Sequence, residues 1–406
     1  MKVLDTFAGA GGFSLGFSMN PKFEIVGAIE IDKWAAETFK FNHPEVPILV
    51  KDISKLSDIE LVNAFTGKID LILGGPPCQG FSIANRKSGD PTDPRNSLFK
   101  DFVRLGKLFN PEVMIMENVP NLVKAKTHNG ELVLDIIKKE LLELGYFVYD
   151  TILHATNYGV PQIRKRLIII ASKIELKNPF PKPTHCLGRE EINLFADSGL
   201  LECPTLWDAI SDLPVINACE GAEVMDYNIP PQTKYQLAMR NGSSFVNNHK
   251  AMKHSKRMVE RFESMVSGES SADVAEHLKP LKRNGNGEIS NKVYDQNNRR
   301  MFADRPCHTI AASFYANFVH PFQNRNFTPR EGARIQSFPD TYIFKGKPTV
   351  VSQSLLSKEG RIDEKHLGQY NQIGNAVPPL LAKAIADNLI EQLKESKREC
   401  TYTETI

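Results

Sequence analysis

Short apolar runs alternate with longer amphipathic stretches through the first 170 or so positions. Lys2–Phe7, Glu24–Ile31, Ile48–Lys51, Ile69–Leu73 and Val113–Met116 are rich in branched side chains and end at glycines or acids, which predicts buried strands. Phe13–Phe17, Lys33–Phe41, Leu98–Phe109 and Glu131–Leu144 carry helical spacing between them. Tyr146–Ala155 and Leu167–Ala171 read as two further strands. The pattern predicts an α/β fold with a doubly wound sheet, whose ligands gather at the carboxyl ends of the strands.

The polar residues at those ends carry the candidate chemistry. After the first strand comes a glycine turn, Ala8-Gly9-Ala10-Gly11-Gly12, but Ser14 stands where a dinucleotide fingerprint needs its third glycine. The second strand ends in Glu30, placed to accept hydrogen bonds from ribose hydroxyls, with Asp32 beyond it as a helix cap or a solvated acid. The third ends at Asp52, and together these three ends outline an adenosyl pocket. The fourth runs into Gly74-Gly75-Pro76-Pro77-Cys78-Gln79-Gly80-Phe81-Ser82. Two prolines remove two backbone donors and stiffen the loop that presents Cys78. A lone cysteine is more often a small buried hydrophobe, but the polar, glycine-rich residues that follow place this one in an exposed loop. Glu117, at the end of the fifth strand, is a candidate acid. Arg164 and Arg166, two apart at a strand start, share one face and read either as a solvated edge or as an anion clamp.

Regularity fades from 172 to about 300, where only Leu206–Leu213 and His254–Val266 look helical. From Arg240 to Arg300 there are 12 Lys and Arg against 7 Asp and Glu, a local net of +5 in a chain whose overall charge is +2. Such a module suits phosphate contacts and base-edge readout, although a modest basic excess is often a solvated face. Arg330–Phe338 and Leu380–Leu393 are further expected helices, and Lys394–Ile406 reads as a frayed polar tail. Six scattered cysteines without a C-x-x-C pair suggest neither a zinc site nor a disulfide framework, so no metal is expected and a reducing cytoplasm fits. No signal-like or membrane-spanning stretch stands out.

With these residues in view, the chain resembles the DNA (cytosine-5) methyltransferases, particularly the bacterial modification enzymes of restriction systems. The segments DTFAGAGGFSLGF, EID, DIS, GGPPCQGFS, ENVP, QIRKR, TPREGARIQSFPD and QIGNAVPP carry the resemblance, in the family's order, over all but the variable middle. It implies a Rossmann-like fold with a mixed seven-stranded sheet, the last helix returning beside the first strand. It implies S-adenosyl-L-methionine as cofactor, held by Phe7, Gly9, Ala10, Gly12, Glu30, Ile31, Asp52, Ile53, Pro77, Leu98, Asn375 and Ala376, with S-adenosyl-L-homocysteine as product. Cys78 is then the nucleophile that adds to cytosine C6, Glu117 its partner acid with a raised proton affinity, and Arg164 and Arg166 orient the substrate. The base must be flipped out of the duplex, with Gly80–Arg95 as the lid.

The implied organisation is a catalytic domain over 1–174, a target-recognition domain over 175–303, a remainder over 304–394 and a tail over 395–406. His249, Lys250, Lys253, Lys256 and Arg257 are its plausible DNA-backbone contacts. Double-stranded DNA and a companion restriction endonuclease are the expected partners, with no membrane, and a monomer is expected. Three rival readings are an RNA methyltransferase, a DNA binder without catalysis, and a nicotinamide or flavin oxidoreductase. The basic middle favours DNA, the intact Cys78, Glu117, Arg164 and Arg166 favour an enzyme, and the missing third glycine disfavours a dinucleotide.

Overall fold

The computed structural model describes residues 1–77, 98–127, 129–187, 199–282, 287–290, 297–348 and 353–403. Cys78 and the expected lid lie outside the described residues. The chain divides into two compact units, one made of Met1–Gly159, Arg164–Leu201 and Val377–Ile406, the other of Val160–Ile163 and Glu202–Ala376. The expected boundaries at 174/175 and 303/304 differ from this division.

The first unit is built on seven strands. In chain order they are β1 (Lys2–Thr6), β2 (Glu24–Glu30), β3 (Ile48–Val50), β4 (Leu71–Gly74), β5 (Val113–Asn118), β6 (Phe147–His154) and, after the short β7 (Gln162–Ile163) of the second unit, β8 (Lys165–Ser172). The sheet order is β3-β2-β1-β4-β5-β8-β6. β1 to β5 run parallel, and β8 is antiparallel to both β5 and β6. This is the mixed seven-stranded sheet that the resemblance implies. Its direction of growth reverses between β1 and β4, which opens a crevice at their carboxyl ends. β4 is buried along its whole length, as a central parallel strand covered on both faces must be.

On one face, Leu4, Ile72 and Met114 pack with Phe102 and Leu105 of α4 (Leu98–Phe109) and Ile137 and Leu141 of α5 (Val133–Glu143). Elsewhere α1 (Gly12–Ser18) meets the C-terminal helix Pro379–Thr403 so closely that Gly16 has no room for a side chain. A Cβ there would lie 2.3 Å from the Ala382 Cβ and 2.5 Å from the Pro379 carbonyl oxygen. Gly16→Ala is expected to cost about 1–3 kcal/mol through overpacking, read as a lower urea midpoint; an unchanged midpoint would show that the two helices part freely.

The frayed tail is corrected: the last helix continues to Thr403. Distant partners hold it, since Ser396 donates to the Glu175 carbonyl at 2.8 Å and Lys397 pairs with Glu112 at 2.6 Å. β5 also runs past Met116, because Glu117 and Asn118 pair with Ile168 and Leu167 of the reversed β8.

The second unit has an unusually polar core. The helix Pro329–Ile335 is buried at every position and starts in a capping box between Thr328 and Glu331. Its arginines find anions or carbonyls: Arg334 pairs with Asp340 at 2.6 Å and Asp212 at 3.1 Å, and Arg330 donates to the Asn247 carbonyl at 2.6 Å. Nearby Arg325 pairs with Glu331 at 2.6 Å. His249 is not available as a DNA contact. It is fully buried, its ring nitrogens 2.9 Å from the Thr328 hydroxyl and 2.8 Å from the Pro214 carbonyl oxygen, and burial lowers its pKa to about 4. Lys250, Lys253 and Lys256 are exposed, while Arg257 is half-buried and donates to the Lys279 carbonyl.

Candidate active site

The topology explains why residues far apart in sequence converge. β4 and β5 are parallel neighbours, with Gly74 opposite Met116, so their carboxyl ends lie side by side. From β4 the chain leaves through Gly75-Pro76-Pro77, and Asn118 at the end of β5 donates to the Pro76 carbonyl at 3.0 Å. A Cβ built on Gly75 would sit 3.3 Å from Glu117 Oε2. The segment that delivers Cys78 thus runs directly beside Glu117.

Because β8 is antiparallel, its amino end reaches the same edge of the sheet. Arg166 Nε lies 2.5 Å from Glu117 Oε1, a close ionic contact rather than a well-directed hydrogen bond. Arg166 also donates to its neighbour's carbonyl, that of Lys165, at 2.7 Å. Arg164 is 1% exposed and Lys165 is exposed, so the two arginines do share a face, as their spacing predicts. Burial and then the like charge of Arg166 push the Arg164 guanidinium down from its ordinary range, and Glu117 offsets part of this. Glu117, 9% exposed, thus meets a guanidinium. Asn118 is the residue the sequence reading missed; a side-chain amide gives no distinctive signal until the strand is known to reach it.

The glycine turn lies across the sheet at the ends of β1 to β3. Phe7 takes a left-handed φ of 57°, unusual for a bulky residue and a mark of local backbone strain. Glu30 braces that turn, accepting from the Gly9 amide at 2.7 Å and the Asp32 amide at 2.8 Å. Burial raises the Glu30 carboxyl above its ordinary value, and the Asp32 and Gly9 amides pull the other way. Asp32 itself caps α2 (Lys33–Asn42), accepting from the Ala35 amide at 3.0 Å, so the capping reading of that acid holds. Asp52 accepts from the Ser54 hydroxyl at 2.7 Å, and this bond is the main reason its carboxyl sits below the ordinary range.

Ile31 and Asp52 line a cavity of about 500 Å³ together with Val50, Lys51, Leu56 and Glu60. Ile31 is 64% exposed, an apolar surface left open at the mouth. A Cβ at Gly9 would meet nothing within 4 Å, so the turn itself is an open cradle. Lys55 lines the cavity too, so its walls mix apolar Ile31, Val50 and Leu56 with charged Lys51, Asp52, Lys55 and Glu60. Ala10 and Ile53 are buried and Gly12 opens α1, and none of the three lines that cavity. Leu98 opens α4 and is half-buried. Asn375 and Ala376 lie in the second unit, at the end of the helix Gln369–Asn375 and as its C-cap. Among the described residues no group of three or more His, Cys, Asp or Glu could hold a metal ion, and no helix is long and apolar enough to cross a membrane.

The arrangement has counterparts in known proteins. The family model of the C-5 cytosine-specific DNA methylases matches residues 1–391. The chain is 48% identical to the type II methyltransferase M.DdeI of Desulfomicrobium norvegicum, over 96% of this chain and 88% of that one. It is 34% identical to the type II methyltransferase M1.HphI of Haemophilus parahaemolyticus, over 96% and 87%. Among solved structures, an Escherichia coli prophage protein described as a DNA modification methyltransferase shares the fold with a TM-score of 0.71, at 24% identity over 97% of this chain and 99% of that one. A DNMT2 variant of Spodoptera frugiperda shares it with a TM-score of 0.54 at 19% identity, over 96% and 99%. A match spanning nearly the whole chain, on a fold that sets Glu117 and Arg166 beside the strand leading to Cys78, leaves one conclusion: the chain belongs to the C-5 cytosine-specific DNA methylases and is a DNA cytosine-5 methyltransferase of the type II restriction–modification kind.

Proposed function

We propose that this enzyme methylates C5 of a flipped-out cytosine within one short sequence of double-stranded DNA, through a covalent bond from Cys78 to C6. The observation that carries the reading is the Glu117–Arg166 contact, at 2.5 Å, beside the Gly75–Pro77 segment that leads to Cys78. C5 of cytosine is a poor nucleophile, and a thiolate adding at C6 pushes electrons toward it. A free thiol near neutral pH is only a few per cent thiolate, so positive charge near it would help. Glu117 faces ring N3, where negative charge builds, and Arg166 orients its carboxyl. S-adenosyl-L-methionine would supply the methyl group, held by Glu30, Ile31 and Asp52, with Phe7, Pro77 and Leu98 as further contacts. Loss of the C5 proton and elimination of Cys78 then restore the ring. The atom under attack is hidden inside a base pair, so the cytosine must leave the stack.

The second unit carries target recognition in this reading. Exposed Lys250, Lys253 and Lys256 supply phosphate contacts that position the duplex without reading its sequence. The product protects its site from a companion restriction endonuclease.

The test is to express the chain in cells that lack cytosine methylation and bisulfite-sequence their DNA. Methylcytosine confined to one short motif is the expected result. Methylation of transfer RNA with none in duplex DNA would overturn the choice of substrate, and absence from both would leave the enzyme without the proposed reaction.

A further inference from the structure

One buried acid of the first unit takes no part in this chemistry. Asp5 lies on β1, 1% exposed, and accepts from the Ser14 hydroxyl at 2.6 Å. Ser14 is itself fully buried in α1 and fills the place of the third glycine of a dinucleotide turn. On β2, Glu30 holds the Gly9 amide at 2.7 Å. Two buried carboxylates therefore brace one glycine turn, Glu30 from within it and Asp5 through Ser14 just after it.

Among the described residues, no lysine or arginine pairs with either carboxylate. Asp5 sits opposite Ala28 of β2 and Leu73 of β4, and neither β4 nor α1 carries a titratable side chain. β2 contributes Glu30, a like charge that Asp32 repels in turn. On the C-terminal helix behind α1, Lys383 is engaged with Asp387 at 2.6 Å. Burial raises the Asp5 carboxyl to about 7, Ser14 pulls the other way, and the charge of Glu30 adds to the rise. A pair of buried like charges that lacks a cation is one that a cationic ligand completes.

We propose that Asp5 is a positioning residue that carries a proton while the glycine turn is empty and releases it to solvent when a cationic nucleoside cofactor settles against Glu30. The inference rests on the cofactor assignment above. The cofactor's sulfonium carries a positive charge that the thioether product lacks, so after methyl transfer Asp5 takes a proton back from solvent and the grip on the product slackens. Binding before reaction and release after it would then be driven by one buried carboxyl.

Calorimetric titration of the full chain tests this, with S-adenosyl-L-methionine and S-adenosyl-L-homocysteine as probes at pH 6, 7 and 8, in two buffers of different ionisation enthalpy. Asp5→Asn keeps the shape and an acceptor for Ser14 but cannot titrate. Relative to that variant, the parental chain should gain roughly tenfold in affinity for the sulfonium ligand between pH 6 and pH 8, with proton release near pH 6. The thioether should show a much smaller slope. Equal slopes for the two ligands, or a parental slope that survives Asp5→Asn, would overturn the proposal. The parental proton count stands even where the variant folds poorly. Binding with no proton release sinks this inference alone, whereas binding of neither ligand at any pH sinks the cofactor assignment with it.

Discussion

Alanine in place of Cys78 should abolish methyl transfer to duplex DNA, by at least about a thousandfold under single-turnover conditions. The size follows from the chemistry of the ring. Without a nucleophile at C6 there is no electron supply to C5, and neither Glu117 nor Arg166 can substitute, because each acts only on charge that the adduct creates. The contacts beside the Gly75–Pro77 segment are made by other side chains. Pro76 is tied to Asn118 at 3.0 Å and Glu117 to Arg166 at 2.5 Å, contacts that the sulfur does not make. Binding of S-adenosyl-L-homocysteine and the melting temperature should therefore be unchanged in Cys78→Ala, which separates a chemical loss from a folding one. DNA carrying 5-fluorocytosine gives a second readout. Fluorine cannot leave C5 as a proton does, so the parental chain should stay covalently attached and the variant should not. Methyl transfer at the parental rate by Cys78→Ala would remove the thiol from the mechanism altogether.

The parts of this site that sequence reveals are those that local patterning controls. Glu30, Asp52 and Glu117 are legible because each ends or closes an apolar strand, and a strand's carboxyl end is where an α/β sheet places its ligands. The Asp32 cap is legible for the same local reason. The contact between Glu117 and Arg166 is not, since it depends on β8 running antiparallel to β5, and strand direction leaves no mark in a short apolar run. The tail was misjudged because what orders it, Glu175 and Glu112, lies more than two hundred positions away. His249 was misjudged in the other direction. A basic stretch suggests solvent, yet Thr328 and Pro214 enclose that ring. The expected helix in TPREGARIQSFPD does form, over Pro329–Ile335, and it is buried at every position.

That buried helix predicts the largest loss of stability, at Arg334. Its guanidinium grips both oxygens of Asp340 at 2.6 Å each and reaches Asp212 at 3.1 Å, and all three side chains are fully buried. Arg330, at 3.4 Å, and the Tyr227 hydroxyl also serve Asp340, and Arg240 serves Asp212 at 2.8 Å, but none of these replaces the two-pronged contact. Arg334→Ala strands carboxylates that cannot reach water, at a cost of about 3–5 kcal/mol. That is a large share of a domain's typical stability of about 5–15 kcal/mol. Arg334→Lys should recover little, because a point charge cannot reproduce the planar fork. Burial alone would raise the Asp340 carboxyl, yet Arg334 and then Arg330 hold it below its ordinary value. A carboxyl depressed in the folded state adds stability that is present above its unfolded value of about 4 and lost as pH falls through the folded one. The gap between parental and Arg334→Ala chains should thus be widest near pH 7 and close in acid. Urea melts of the full chain at pH 7 and at about pH 2.5 measure it. A variant within about 0.5 kcal/mol of the parental chain at pH 7 would show that Arg330 and Arg240 suffice to hold both acids, and that the buried arginine core is redundant.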